Sequence, residues 1–249
     1  MNLMPWAIIA VSAVAEVASG NLTLNAPTGG AQGDLYVACV AYRSNVAFGL
    51  PANWNLVATQ QSSGDTDATQ GIASGVMAYI IRGTSDPSFV FTRTLGDVAQ
   101  GVIVCYRGVN NAAPYDTGGA ATLGAIGEPS LAGISTAEAL ELIVAMVSSG
   151  DNSLCITFDA VTNPSTASGA ISTTTAPTND TWIHRFDRGS NTGADTGLSV
   201  ADGLKATAGA TGTFSADAAT TTRSVFIVGA FKLSPTIPDI TQQPMRPSA

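Results

Sequence analysis

The sequence predicts an all-β protein, a β-sandwich or jelly roll, and three observations point that way. The chain is rich in Thr and Ser and carries 26 Gly and 12 Pro, residues that suit strands and turns. Long Glu-, Lys-, Leu- and Gln-rich stretches that would form helices are absent. Apolar runs of strand length alternate with turn signals along most of the chain. With 249 residues, 45% of them hydrophobic, the chain can bury the core of one large sandwich or of two small domains.

The elements follow in order. Trp6 to Val17 reads as a first strand, because Val11, Val14 and Val17 alternate with Ser and Ala. Asn21 to Leu24 follows a Ser-Gly turn. Asp34 to Tyr42 is a continuous apolar run, as a strand buried on both faces requires. Trp54 to Thr59 follows a Leu-Pro-Ala-Asn turn, and Gly75 to Ile81, Ser88 to Thr92 and Gly101 to Tyr106 read as further strands. From Gly118 to Gly133 the chain is Gly- and Ala-rich, which suggests a linker or a long crossing loop. Ala139 to Val147, Leu154 to Phe158, Trp182 to Arg185, Gly197 to Val200, Gly212 to Ala216 and Ser224 to Leu233 complete the set.

The two halves, 1–117 and 134–233, form a weak internal repeat within a domain spanning 1–233. The run from Asp34 corresponds to the run from Leu140, and Trp54 to Trp182. Phe91 with Val102-Ile103-Val104 corresponds to Phe214 with Val225-Phe226-Ile227. Each half then reads as one four-stranded unit, and two such units make two packed sheets. Chance similarity between two sets of apolar strands is the alternative.

The chemistry expected of the chain is sparse. Only 11% of residues are charged, against ~25% in an ordinary soluble domain. Ten Lys and Arg are scattered and the net charge is −8, which argues against a phosphate-binding surface and so against nucleic acid. Cys39, Cys105 and Cys155 sit in apolar runs and read as buried free thiols, with one disulfide plus a leftover thiol as the alternative. His184 is the only histidine, and no GxSxG elbow supplies it with a nucleophile. Glu141 lies in a strand without an identifiable partner, and most Asp residues sit in turns that their capping explains. Asp65 and Asp67 form a DxD pair that reads as a solvated loop rather than a Ca²⁺ site. No catalytic residue, cofactor site or metal site is expected, and the chain reads as non-enzymatic. Trp54 and Trp182 read as paired core plugs, with an exposed sugar platform as the alternative.

The two ends of the chain carry separate signals. The apolar start lacks a basic segment and is interrupted by Glu16, and Pro5 to Ala15 is too short for the ~20 residues that span a bilayer. No membrane role is expected, and the protein reads as made and assembled in the cytoplasm. From Ser234 to Ala249 the chain holds four prolines and no strand pattern, so it reads as an extended arm. A neighbouring subunit is the simplest thing to hold it. The expected partner-binding residues are Pro235, Ile237, Pro238, Ile240, Pro244 and Met245 of the arm, with Met4 and Trp6 at the other end.

Several segments resemble tailed-bacteriophage virion structural proteins. Ala31-Gln32-Gly33-Asp34-Leu35 followed by VACVA resembles their AGDLLLAFVA opening, and Pro51 to Leu56 matches a P-x-x-W-x-L step. Ala78 to Thr92 (AYIIRGTSDPSFVFT) and Val102 to Asp116 (VIVCYRGVNNAAPYD) resemble two further segments of such proteins. The resemblance covers roughly residues 5 to 233 and is strongest from 31 to 116. It implies a β-sandwich or jelly roll on the virion, and nothing catalytic. The lack of a fibrous shaft favours a capsid decoration (cement) protein that binds the major capsid protein, as a homotrimer on the capsid surface. The alternative is a tail or fibre domain that binds host glycan.

Overall fold

The computed structural model describes residues 6–63, 72–123, 130–150, 171–173, 183–190, 192, 196–216 and 223–235. The described chain is all-β and sandwich-like, with no helix among these residues and therefore none long and apolar enough to cross a membrane.

The first sheet contains β1 (Ala7–Val11), β2 (Ala15–Val17), β4 (Leu35–Tyr42), β5 (Asn55–Leu56), β6 (Gln61–Ser62), β7 (Ser74–Ile81) and β9 (Ala99–Arg107). Its order is β1-β9-β4-β7-β5, with β2 also on β9 and β6 also on β7. The second sheet contains β10 (Tyr115–Leu123), β13 (Glu141–Ser149), β15 (Ile183–Gly189), β16 (Gly197–Lys205) and β19 (Ser224–Phe231), in the order β10-β19-β13-β16-β15. All of these pairings are antiparallel.

Strand periodicity explains the layering. Along β4, Leu35, Val37, Cys39 and Ala41 face the second sheet, where they meet Leu142, Val144 and Met146 of β13 and Val225 and Ile227 of β19. The alternate residues Tyr36, Ala38, Val40 and Tyr42 face outward, yet they are buried too. They are covered by Trp54, Phe48 and the small pair β3 (Leu22–Thr23) and β8 (Val90–Phe91). The outer face of β13 repeats this arrangement. Ile143, Ala145 and Val147 lie under Leu131, Ile134 and Phe214. Those residues belong to or flank β11 (Ser130–Leu131), β12 (Ser135–Thr136) and β18 (Phe214–Ala216); β11 and β14 (Ile171–Thr173) pair with β18, and β12 pairs with β17 (Gly209–Ala210). The continuous apolar runs therefore mark strands sandwiched between two cores.

The strand orders of the two sheets correspond. β9-β4-β7 in the first matches β19-β13-β16 in the second, and β1 stands where β10 stands. Phe91 and Phe214 each cap the outer face of their own sheet. Polar clamps cross the interface between the sheets. Gln100 Nε2 donates to the carbonyls of Arg188 (3.0 Å) and Thr196 (2.6 Å), and Ser148 Oγ donates to that of Ser74 (2.7 Å).

Two expectations need correction. The Gly- and Ala-rich stretch after Gly118 is no loop at its start, because residues through Leu123 form β10 on β19. Small side chains suit this strand, since it is covered on both faces: a Cβ on Gly118 would lie 2.8 Å from Val57 O, and one on Gly119 3.2 Å from Ile134. The opening strand is also broken in two at Ser12. Its N–H donates to Ile103 O, and its hydroxyl accepts the Ile103 N–H, both at 2.9 Å. A side-chain oxygen thus takes the place of a ladder carbonyl.

Candidate functional site

The four sheet edges differ sharply. β1 is short, its register shifts between Ile8 and Ala10, and Gly29 of a neighbouring loop lies against the Ile9 side chain. β5 is only two residues long. β15 has a bulge between His184 and Phe186 and carries His184, Arg185, Asp187 and Arg188. Short length, bulges and charge all discourage pairing with a foreign strand. β10 has none of these from Thr117 to Leu123, where seven consecutive register pairs run without a shift or a charged residue. Along such an edge, alternate backbone groups point away from β19. Among the described residues no backbone hydrogen bond satisfies them.

The root of β10 carries an acid pair. Asp116 Oδ2 accepts the Ala137 N–H at 2.8 Å, and Glu141 Oε1 accepts the Glu138 N–H at 2.9 Å. Burial, and then the Asp116 carboxylate beside it, pushes Glu141 up to about 7. Glu141 is thus held largely protonated below about pH 7. Lys232 Nζ stands 3.5 Å from Asp116 and 3.1 Å from Glu138. Sequence reasoning left Glu141 without a partner, because Asp116 is brought to it only by the β10-β19-β13 pairing. Glu141 is also fully buried.

A second buried network ties β15 into the sandwich. Arg185 grips Asp202 of β16 with Nε at 2.6 Å and Nη2 at 2.9 Å, and Tyr106 OH of β9 donates to the same carboxylate at 2.9 Å. Burial raises Asp202 and Tyr106 from their ordinary values, with Arg185 opposing the shift in both. Burial also lowers His184 to about 4, so it is uncharged at neutral pH.

An open groove of about 610 Å³ lies at one end of the molecule. Asn53, Asn55, Tyr79, Ser85, Asp86 and Pro114 line it. Tyr79 is fixed from behind, stacked on Tyr115 at 5.4 Å and set edge-on to Phe231 at 5.5 Å. Tyr115 OH is held in turn by Val57 O at 2.7 Å.

The residues expected to touch partners fare differently. Trp6 is 5% exposed and packs edge-on against Tyr106 at 5.8 Å, so its ring is buried in its own chain and is not a free anchor. Pro235 is exposed. Met4, Ile237, Pro238, Ile240, Pro244 and Met245 lie outside the described residues. Ser234 still belongs to the body, where its N–H donates to Gly108 O and its hydroxyl to Val109 O. Trp54 is buried, with Nε1 donating to Ser88 O at 2.9 Å, and is no sugar platform. Trp182, Cys155, Asp65 and Asp67 lie outside the described residues. Cys39 and Cys105 are buried free thiols. Among the described residues no three His, Cys, Asp or Glu side chains converge as a metal site.

Comparison with protein-family models, with curated proteins and with solved structures finds no match for this chain.

Proposed function

We propose that this chain is a non-enzymatic structural component of a tailed-bacteriophage virion: a capsid decoration protein that binds the major capsid protein and stabilises the head. The observation that carries the reading is the open β10 edge. A seven-residue regular edge free of charge is a ready site for strand addition, a way for assembling proteins to join subunits through backbone hydrogen bonds. Its occupant is the C-terminal arm of a neighbouring copy. Asp239 to Gln243 lies between Pro238 and Pro244 and keeps every backbone N–H, so it can serve as a short added strand. Pro235, which precedes the arm, stands beside the Val109–Leu233 bridge, and Lys232 N–H donates to Pro114 O at the root of β10. Head-to-tail donation of this kind closes into a ring, most simply a trimer. The resemblance of residues 31–116 to virion proteins supplies the setting.

The test removes residues 236–249 and leaves Ser234 and its hydrogen bonds in place. The truncated chain should keep its thermal unfolding midpoint. It should also sediment as a monomer and decorate capsids at reduced occupancy. An unchanged oligomer with full occupancy would reject the arm and the edge together.

A further inference from the structure

We propose that the groove beside Tyr79 is a binding site for neutral oligosaccharides. It is separate from the β10 edge and does not depend on the assembly role. Three features of the groove define the ligand class.

The groove carries no net charge. Its one lining acid, Asp86, is neutralised by Arg82, whose Nε lies 2.6 Å from Asp86 Oδ1. Phosphates, uronic acids and sialic acids need an unpaired cation, and none lines the groove.

Its polar groups are amides and hydroxyls that other residues leave free. The Asn53 side chain, the Ser85 hydroxyl and the Tyr79 hydroxyl make no hydrogen bond among the described residues, and the Asn55 amide nitrogen has only a long contact of 3.5 Å to Asn53 O. An amide offers a donor and an acceptor at fixed spacing, which suits the vicinal hydroxyls of a sugar. Asn111 shows the contrast. Its amide nitrogen donates inward to Val109 O (3.1 Å) and Gly33 O (2.7 Å), so it builds the wall instead of reading the ligand.

The apolar part of the lining is Tyr79 with Pro87 and Pro114, rigid groups against which the C–H face of a pyranose packs. Tyr79 is locked in place by Tyr115 and Phe231, so little side-chain freedom is lost on binding. Asn53 has φ 68°, a left-handed conformation that Asn tolerates better than most residues, and this geometry places its side chain at the rim. The volume lies within the range of small-ligand sites and has room for more than one sugar ring.

The test screens the full-length chain against immobilised neutral oligosaccharides built of glucose, galactose, mannose and N-acetylhexosamines. Sialylated and uronic-acid glycans are included for comparison, and the hits are titrated by calorimetry. Neutral glycans should bind and acidic ones should not bind better. The double variant Asn53→Gly/Asn55→Ala keeps the backbone conformation at Asn53 and removes both amides. It should weaken binding at least about tenfold with an unchanged unfolding midpoint. Tyr79→Phe should weaken it a few-fold. Retention of no neutral glycan, a preference for acidic glycans, or full binding by the double variant would overturn the proposal. Sedimentation of the double variant should match the parent, so failure here is distinct from failure of the assembly reading.

Discussion

The two sheets share one strand order and end in opposite ways. β1 and β10 occupy equivalent outer positions, beside β9 and β19. β1 is shifted in mid-strand, and a loop packs on it; β10 is regular from Thr117 to Leu123 and, among the described residues, carries no further strand. The far edges also diverge. The first sheet stops at the two-residue strands β5 and β6, both on β7, while the second ends in β15, seven residues long but bulged and carrying two ion pairs. The core is duplicated and the edges are not. Core positions answer to packing, which is the same in both halves. Edge positions answer to whatever lies beside them, and among the described residues one edge of the two large sheets is long, regular and uncharged.

The largest way to break this contrast is to cut the tether of β15. Asp202→Ala leaves Arg185 and the Tyr106 hydroxyl without their buried carboxylate. Loss of one partner from a buried charge pair costs about 3–5 kcal/mol. Denaturant unfolding should register a loss of that size, with β15 amides exchanging fastest.

The root of β10 should respond to pH. Glu141 rises from an ordinary 4.5 to about 7 in the folded protein. Between those values the folded chain holds a proton that the unfolded chain has released. This stabilisation is full below pH 4.5 and is gone above about pH 7. It amounts to roughly 3 kcal/mol. The difference in unfolding free energy between the parent and Glu141→Gln should shift by about that amount across the window. A flat difference would remove the raised Glu141 value.

Charge on β10 should separate stability from assembly. Thr117→Lys gives this edge the protection that β15 already has. It should change stability by less than about 1 kcal/mol while abolishing the oligomer in sedimentation. Proline scanning of Ala120 and Ala121 sharpens the test, because one of two consecutive N–H groups serves β19 and the other faces away. One substitution should lower the unfolding midpoint, and the other should chiefly block assembly.

The smallest effect is expected at Arg188, whose Nη2 meets Glu16 at 2.9 Å with the arginine side chain 40% exposed. Arg188→Ala should cost no more than about 1 kcal/mol.

Much of the scaffold was legible in the chain. The run at Asp34 announced a strand buried on both faces, and β4 is one; the run at Leu140 announced a strand, and β13 is buried in the same way. The pairing of Phe91 with Phe214 was visible as spacing and is matched by their equivalent places over the two sheets. The edges and sites were less legible. Gly118 to Leu123 looked like a linker because small residues signal both turns and tightly covered strands, and local sequence does not separate the two. Trp6 looked like a free anchor because no local pattern revealed Tyr106 waiting beneath it. The acid pair and the groove join residues from distant segments, so neither had a spacing to find.

By itself, then, the sequence determined the apolar strands and their burial, because strand alternation and apolar runs act over a few residues. The tertiary structure alone decided which of the described sheet edges is long and regular, which acid is buried beside another and which amides line a common groove. Those outcomes depend on strand order, and strand order is set by contacts between residues far apart in the chain.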